Sequence, residues 1–123
     1  MDGSPRIVAA MDDLFFMVKV KDAAKKAGAE IEFVKTFDSA VGKAKSGAAL
    51  LIVDLNSAAV EPLRLIQEVK SGAEPNGVPI VAFLSHVQVE VKQQAQEAGA
   101  DLVVARSTFS DRLPEILQKF LVG

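Results

Sequence analysis

The chain has 123 residues, the size of one domain, and is long enough to bury about two thirds of its unfolded surface. Fourteen Lys and Arg against 16 Asp and Glu give a formal charge of -2, which leaves no basic field to hold nucleic acid or an anionic membrane. Half of the residues are hydrophobic and 24% are charged, with no Cys and a single His, which argues against disorder and excludes disulfides, thiol nucleophiles, Cys-ligated metal centres and multi-His sites.

The opening MDGSPRIVAAMDDLFFMVKV carries acids inside its apolar stretch and no basic segment ahead of it. That is the pattern of neither a secretion signal nor a membrane span, so a soluble cytoplasmic protein is expected. Ile7 to Met11 is apolar throughout and too short for a helix, which predicts a strand covered on both faces. From Leu14 to Ala27, Phe16, Val20, Ala23 and Ala27 recur at helical spacing, and Gly28 is a natural stop. Adjacent Phe15 and Phe16 cannot both face inward on that helix, so one of them is expected at the surface. Glu30 to Val34 begins with polar and apolar residues in alternation, as suits a strand near a sheet edge. Asp38 or Ser39 caps a short second helix that runs through Lys45 and ends at Gly47.

Ala49 to Val53 is a second fully apolar run and predicts the third strand. A helix from about Ala59 to Lys70 follows, with Leu63, Ile66 and Val69 on one face and Pro62 in the first turn, where its missing N–H is harmless. The segment AEPNGVP at 73–79 is turn chemistry. Ile80 to Leu84 is the fourth strand, a helix from about Val89 to Ala98 ends at Gly99, and Leu102 to Ala105 is the fifth strand. In the last helix Phe109, Leu113, Ile116 and Phe120 cover the sheet, with Pro114 in the first turn or at a bend.

Five strands alternating with five helices through short connections predict an α/β fold, a parallel sheet wound on both faces. Two arrangements suit the length, the flavodoxin-like order 2-1-3-4-5 and a half-Rossmann unit, and the nearly continuous apolar third strand favours the former. No repeat, low-complexity tract or linker interrupts residues 1–123, which are read as one module.

In an open parallel sheet the ligand crevice lies beyond the carboxyl ends of the strands. That rule selects Asp12 and Asp13 after strand one, Asp54 after strand three, Ser85 and His86 after strand four, and Arg106, Ser107 and Thr108 after strand five. Carboxylates converging from adjacent strands repel unless a cation lies between them, and hard oxygen donors suit Mg²⁺. Each residue also has a plainer role: Asp12 or Asp13 as a helix cap, Asp54 as a scaffold acid bonded to a loop amide, Arg106 as an ordinary salt bridge. Ser85 and His86 are adjacent on an extended chain and face opposite ways, so they do not make a nucleophile and base pair. No Gly-rich phosphate loop of the G-x-G-x-x-G or Walker type is present, and no Asp-x-His-x-x-Gly signature, so nucleotide and cobalamin binding find no support.

At these residues the chain resembles the receiver domain of bacterial response regulators, over about Arg6 to Leu121. The resemblance is carried by AAMDD after strand one, LLIVDLNSAAVEPLRLI around Asp54, VPIVAFLSH at strand four and AGADLVVARS at strand five. It implies that the domain is a stand-alone signalling module of a two-component phosphorelay and not an enzyme. Asp54 is then the phosphoacceptor, with Arg106 and the Ser85 hydroxyl as phosphate contacts. It further implies Mg²⁺ held by Asp12, Asp13, Asp54 and the carbonyl of Asn56. The implied partner is a sensor histidine kinase or another signalling protein, with neither nucleic acid nor membrane; the face of helix four, strand five and helix five is the candidate surface for a partner or a homodimer.

The chain also departs from the family pattern. Counted back from Gly28, the two family acids fall on Met11 and Asp12, and a shift of one residue places them on Asp12 and Asp13. The switch Ser or Thr falls on Leu84, the Lys before Pro is Arg106 before Ser107, and the switch aromatic is Val103. Arg is planar and longer than Lys, and the two are not interchangeable at a point-charge site. These departures mark an atypical receiver and leave two functional expectations, an altered phosphate switch or an interaction module on the same fold that works without phosphorylation.

Overall fold

The computed structural model describes residues 4–71, 77–85 and 88–122, with the side chain of residue 122 left aside; most of the turn at 73–79 and His86 lie outside the described residues. Five strands, β1 (Arg6–Ala10), β2 (Glu30–Val34), β3 (Leu50–Asp54), β4 (Ile80–Leu84) and β5 (Leu102–Ala105), form one parallel sheet in the order β2-β1-β3-β4-β5. The flavodoxin-like order is the one adopted. Six helices pack on it: α1 (Leu14–Lys26), α2 (Phe37–Lys45), α3 (Pro62–Lys70), α4 (Val89–Ala98), α5 (Arg106–Asp111) and α6 (Leu113–Val122).

The apolar runs of β1, β3 and β4 are nearly continuous because these strands bury both faces. Val8, Ala10, Leu51, Val53, Ala82 and Leu84 enter one core with residues of α2, α3 and α4, including Ala40, Ala44, Leu65, Ile66 and Ala95. The alternate residues Ile7, Ala9, Leu50, Ile52, Val81 and Phe83 enter a second core with Phe16 and Val20 of α1 and Phe109, Leu113 and Leu117 of α5 and α6. β2 lies at an edge, and only Val34 of its five residues is fully buried, in keeping with its partly polar pattern.

Four local expectations are corrected. The final helix is two, because Pro114 lacks an N–H and its ring would clash with a carbonyl one turn back; α5 stops at Asp111 and α6 starts afresh with Pro114 in its first turn. Residues 58–60 form a 3-10 turn instead of the start of α3, and Glu61, at φ 48°, turns the chain so that α3 begins at Pro62. Thr36 caps α2 in place of Asp38 or Ser39, its hydroxyl accepting from the Ser39 N–H at 3.3 Å. On α1 the fully buried residues are Phe16, Val20 and Ala24, so the inward stripe is rotated from the expected one and Ala27 is exposed. Phe15, at 91% exposure, is the outward member of the Phe pair.

Register decides where the polar residues emerge. Ala10 pairs with Val53, Val53 with Ala82, Asp54 with Phe83, and Leu84 with Ala105. The residues after these positions, 11–13, 55–56, 85 and 106, therefore leave the sheet along one edge.

Candidate functional site

Asp54 is the last residue of β3, the central strand, and follows four fully buried residues. It is itself half-buried. Its Oδ1 accepts the backbone N–H of Asn56 at 2.9 Å, which folds the chain back over the strand end. Its second oxygen has no hydrogen-bond partner among the described residues. Burial, the foremost influence, pushes the Asp54 carboxyl above the ordinary aspartate range; the nearby Asp13 charge pushes the same way, while the Asn56 N–H and the Arg106 charge oppose it.

Asp13 enters the same crevice from the end of β1 because it is the N-cap of α1. Its extended backbone lets Oδ1 accept the Phe16 N–H at 3.1 Å. Its other oxygen, Oδ2, accepts from Nη2 of Arg106, so the two charges form a direct ion pair. The Arg106 hydrogen bond, with the Phe16 N–H behind it, holds the Asp13 carboxyl below the usual aspartate range. Arg106 is the first residue of α5, directly after β5, and its guanidinium lies 4.4 Å from the centroid of the Phe16 ring. That ring is anchored in the core against Phe83 at 5.2 Å and Phe109 at 5.8 Å.

Ser85 follows β4 on the opposite side of Asp54. Its backbone N–H and its hydroxyl both donate to Oδ1 of Asn56, at 2.6 and 2.8 Å. Asn56 thus links Asp54 to Ser85, with its backbone N–H on one and its side-chain carbonyl on the other. Leu84, at the switch-hydroxyl position, is buried at the end of β4, and Val103 is buried in β5.

Asp12 goes elsewhere. Its exposed carboxylate pairs with Lys35 at 3.4 Å, beyond the end of edge strand β2. The Met11 N–H donates to the Val34 carbonyl at 3.1 Å, so residues 12 and 35 follow immediately on paired strand ends. The structure therefore brings together Asp13, Asp54, Asn56, Ser85 and Arg106 and directs the Asp12 carboxylate to Lys35. Sequence reasoning missed three participants: Phe16 as the platform under Arg106, Lys35 as the partner of Asp12, and the Asn56 side chain as the Ser85 acceptor. The strand order 2-1-3 is a signal for Lys35; the other two have none in the sequence.

These donors do not fit a divalent cation as arranged. Lys35 draws the exposed Asp12 carboxylate away through its Oδ1, Arg106 and the Phe16 N–H take the two oxygens of Asp13, and within the crevice Asp54 is the carboxylate that keeps an uncommitted oxygen among the described residues. No group of three or more His, Asp or Glu side chains among the described residues could hold a metal ion. A cation is nevertheless in the crevice, and it is the guanidinium.

Neither a protein-family model nor a curated protein matches the sequence. Solved structures do match it. A response regulator from Hahella chejuensis superposes with a TM-score of 0.85 at 21% identity, covering 96% of each chain. The chemotaxis response regulator CheY4 of Vibrio cholerae superposes with a TM-score of 0.81 at 22% identity, over 96% of this chain and 99% of that one. The Mn²⁺-bound form of response regulator Rcp1 gives 0.78 at 14% identity, over 95% and 94%. The chain has the fold of response-regulator receiver domains. No helix among the described residues is long and apolar enough to cross a membrane.

Proposed function

We propose that the chain acts as a receiver-like signalling domain of a two-component phosphorelay, with Asp54 as the phosphoryl acceptor and an altered switch around it. The observation that carries this reading is the placement of Asp54: a half-buried carboxylate at the end of the central strand, with one oxygen uncommitted and the Arg106 charge acting on it. Partial desolvation makes that carboxylate more basic than a hydrated one. Its free oxygen attacks phosphorus; the new O–P bond forms as the donor's bond to phosphorus breaks, and the leaving group takes the electron pair, as acetate from acetyl phosphate or as the imidazole nitrogen from a kinase phosphohistidine. Arg106 offsets the added charge, and the Ser85 hydroxyl, whose one proton goes to Asn56 Oδ1 in the free domain, exchanges that bond for one to a phosphoryl oxygen. A divalent cation has no role in this reading, since the side chains of residues 12 and 13 are already paired.

The domain itself is a phosphoryl acceptor in the cytoplasm, not an enzyme acting on other substrates, and its partner is a sensor histidine kinase or another signalling protein. The test is incubation with acetyl phosphate followed by intact mass measurement. Addition of one phosphoryl group that Asp54→Asn abolishes supports the reading, and the absence of an adduct in the parent protein removes it.

A second reading is favoured by one observation: the buried Leu84 replaces a hydroxyl at the position where the family's switch would bond the phosphoryl group. In that case the domain binds its partner through α4, β5 and the α5–α6 segment, as a heterodimer or a homodimer, irrespective of phosphorylation. Asp54→Ala then leaves the association unchanged in sedimentation measurements.

A further inference from the structure

We propose that Arg106 is the resident cation of this crevice, seated by Asp13 and the Phe16 ring, so that Asp54 meets an incoming anion without recruiting a divalent metal. Three features seat the guanidinium. Asp13 Oδ2 accepts from its Nη2; the Phe16 ring lies 4.4 Å beneath it; and that ring is fixed by Phe83 and Phe109, which stack on each other at 4.9 Å. The seat is therefore built on the hydrophobic core, and Asp13 is itself locked as the α1 cap.

A metal at this point would have to displace a group that cannot lose its charge. Mg²⁺ keeps several waters and binds through one or two carboxylates in near-octahedral geometry. With Asp12 turned out of the crevice toward Lys35 and both oxygens of Asp13 engaged, Asp54 is the one crevice carboxylate with an open oxygen among the described residues, and a divalent ion beside it would also face the guanidinium. The fixed cation thus takes over the charge neutralisation that a metal supplies and removes one of the carboxylates a metal needs. That the anion is a phosphoryl group rests on the preceding reading of Asp54; that the cation is Arg106 does not.

The probe is Mn²⁺ added to the full chain, read as paramagnetic broadening of backbone amides. The parent protein shows no selective broadening at Asp13, Asp54 and Asn56, whereas Arg106→Met, which keeps an apolar stem over Phe16, releases the Asp13 carboxylate and broadens these amides at Mn²⁺ concentrations at least tenfold lower. Adding Asp13→Asn to Arg106→Met cancels that gain. Selective broadening of the parent protein at these amides, or a folded Arg106→Met that gains nothing, overturns the proposal. Should Arg106→Met fail to fold, the parent protein decides by two measurements, the Mn²⁺ titration and acetyl phosphate labelling in EDTA against Mg²⁺. Labelling at equal rates supports the resident cation, and labelling that requires Mg²⁺ overturns it. Absence of labelling under both conditions refutes Asp54 as acceptor and leaves the Mn²⁺ titration to decide on the cation.

Discussion

Asp13 uses its two carboxylate oxygens for two different purposes: one accepts the Phe16 N–H and starts α1, the other accepts from Arg106, 93 residues further along the chain. The first bond is local and the second joins the end of β1 to the end of β5 across the functional edge of the sheet. Removing the carboxylate loses both bonds and the α1 cap, whereas removing the guanidinium loses the second bond and the charge over the Phe16 ring but leaves the cap in place. Asp13→Ala therefore lowers the melting temperature more than Arg106→Met does. In a double-mutant cycle by urea denaturation, Arg106→Met costs less in the Asp13→Ala background than in the parent protein, because its partner is already gone. Equal costs in the two backgrounds would show that the pair contributes no coupling.

The aromatic residues of α1 separate core from surface at adjacent positions. Phe16 is buried and touches Phe83 and Phe109, while Phe15 is 91% exposed. Phe83→Ala empties a site in the middle of the cluster and should cost about 3 to 5 kcal/mol. Phe15→Ala should change stability by no more than about 0.5 kcal/mol. Urea unfolding of the two variants checks the contrast, and a large loss in Phe15→Ala would mean that this ring is covered in solution.

Gly99 ends α4 at φ +123°, a conformation that side chains rarely adopt, and a Cβ there would lie 2.8 Å from Cγ of Lys70. Cγ is near the root of that side chain, and Lys70 Nζ is also tied to Asp101 at 3.0 Å, so the clash is not relieved by moving a free tip. Gly99→Ala should cost more than about 1 kcal/mol through backbone strain together with the clash. At Gly28, with φ +77°, a Cβ would meet nothing within 4 Å, so Gly28→Ala carries the strain alone and should lose less. The ordering of their urea midpoints is the measurement.

What could be read in the sequence follows from which interactions are local. The apolar runs at residues 7–11, 49–53, 80–84 and 102–105 announce doubly covered strands, and the right-handed crossover rule then carries Asp54, Ser85 and Arg106 to one edge. The same patterns leave a half-Rossmann unit open beside the order 2-1-3-4-5, which the apolar third strand favours and the sheet adopts. The pairing of side chains at that edge does not follow from them. Whether Asp12 or Asp13 faces Asp54 depends on which of them caps α1, since the cap points into the crevice and its neighbour points away toward Lys35. A one-residue choice of this kind leaves no trace in hydrophobic periodicity. Pro114 marks a first turn or a bend in the sequence, but Phe109 shares the helical stripe of Leu113, Ile116 and Phe120, so periodicity alone does not separate α5 from α6.

The two aspartates of the crevice give opposite dependences of stability on pH. Asp13 has its folded-state pKa lowered, chiefly by the Arg106 hydrogen bond, so its contribution is present above the unfolded value of about 3.9 and is lost as pH falls through the lower folded value. Asp54 has its folded-state pKa raised, chiefly by burial, so the folded state binds its proton more tightly than the unfolded chain does. Its effect is a penalty that sets in as pH rises from about 3.9 through the folded value and is constant above it. Asp54→Asn removes that penalty: its melting temperature should exceed that of the parent protein at pH 7, with the advantage shrinking as pH is lowered through the same window. Asp13→Asn should show the reverse, a deficit at pH 7 that narrows below about pH 3.9. Melting curves of the three proteins between pH 3 and 7 decide the matter, and a constant offset for Asp54→Asn across that range would mean that its carboxylate is as well solvated in the folded protein as in the unfolded chain.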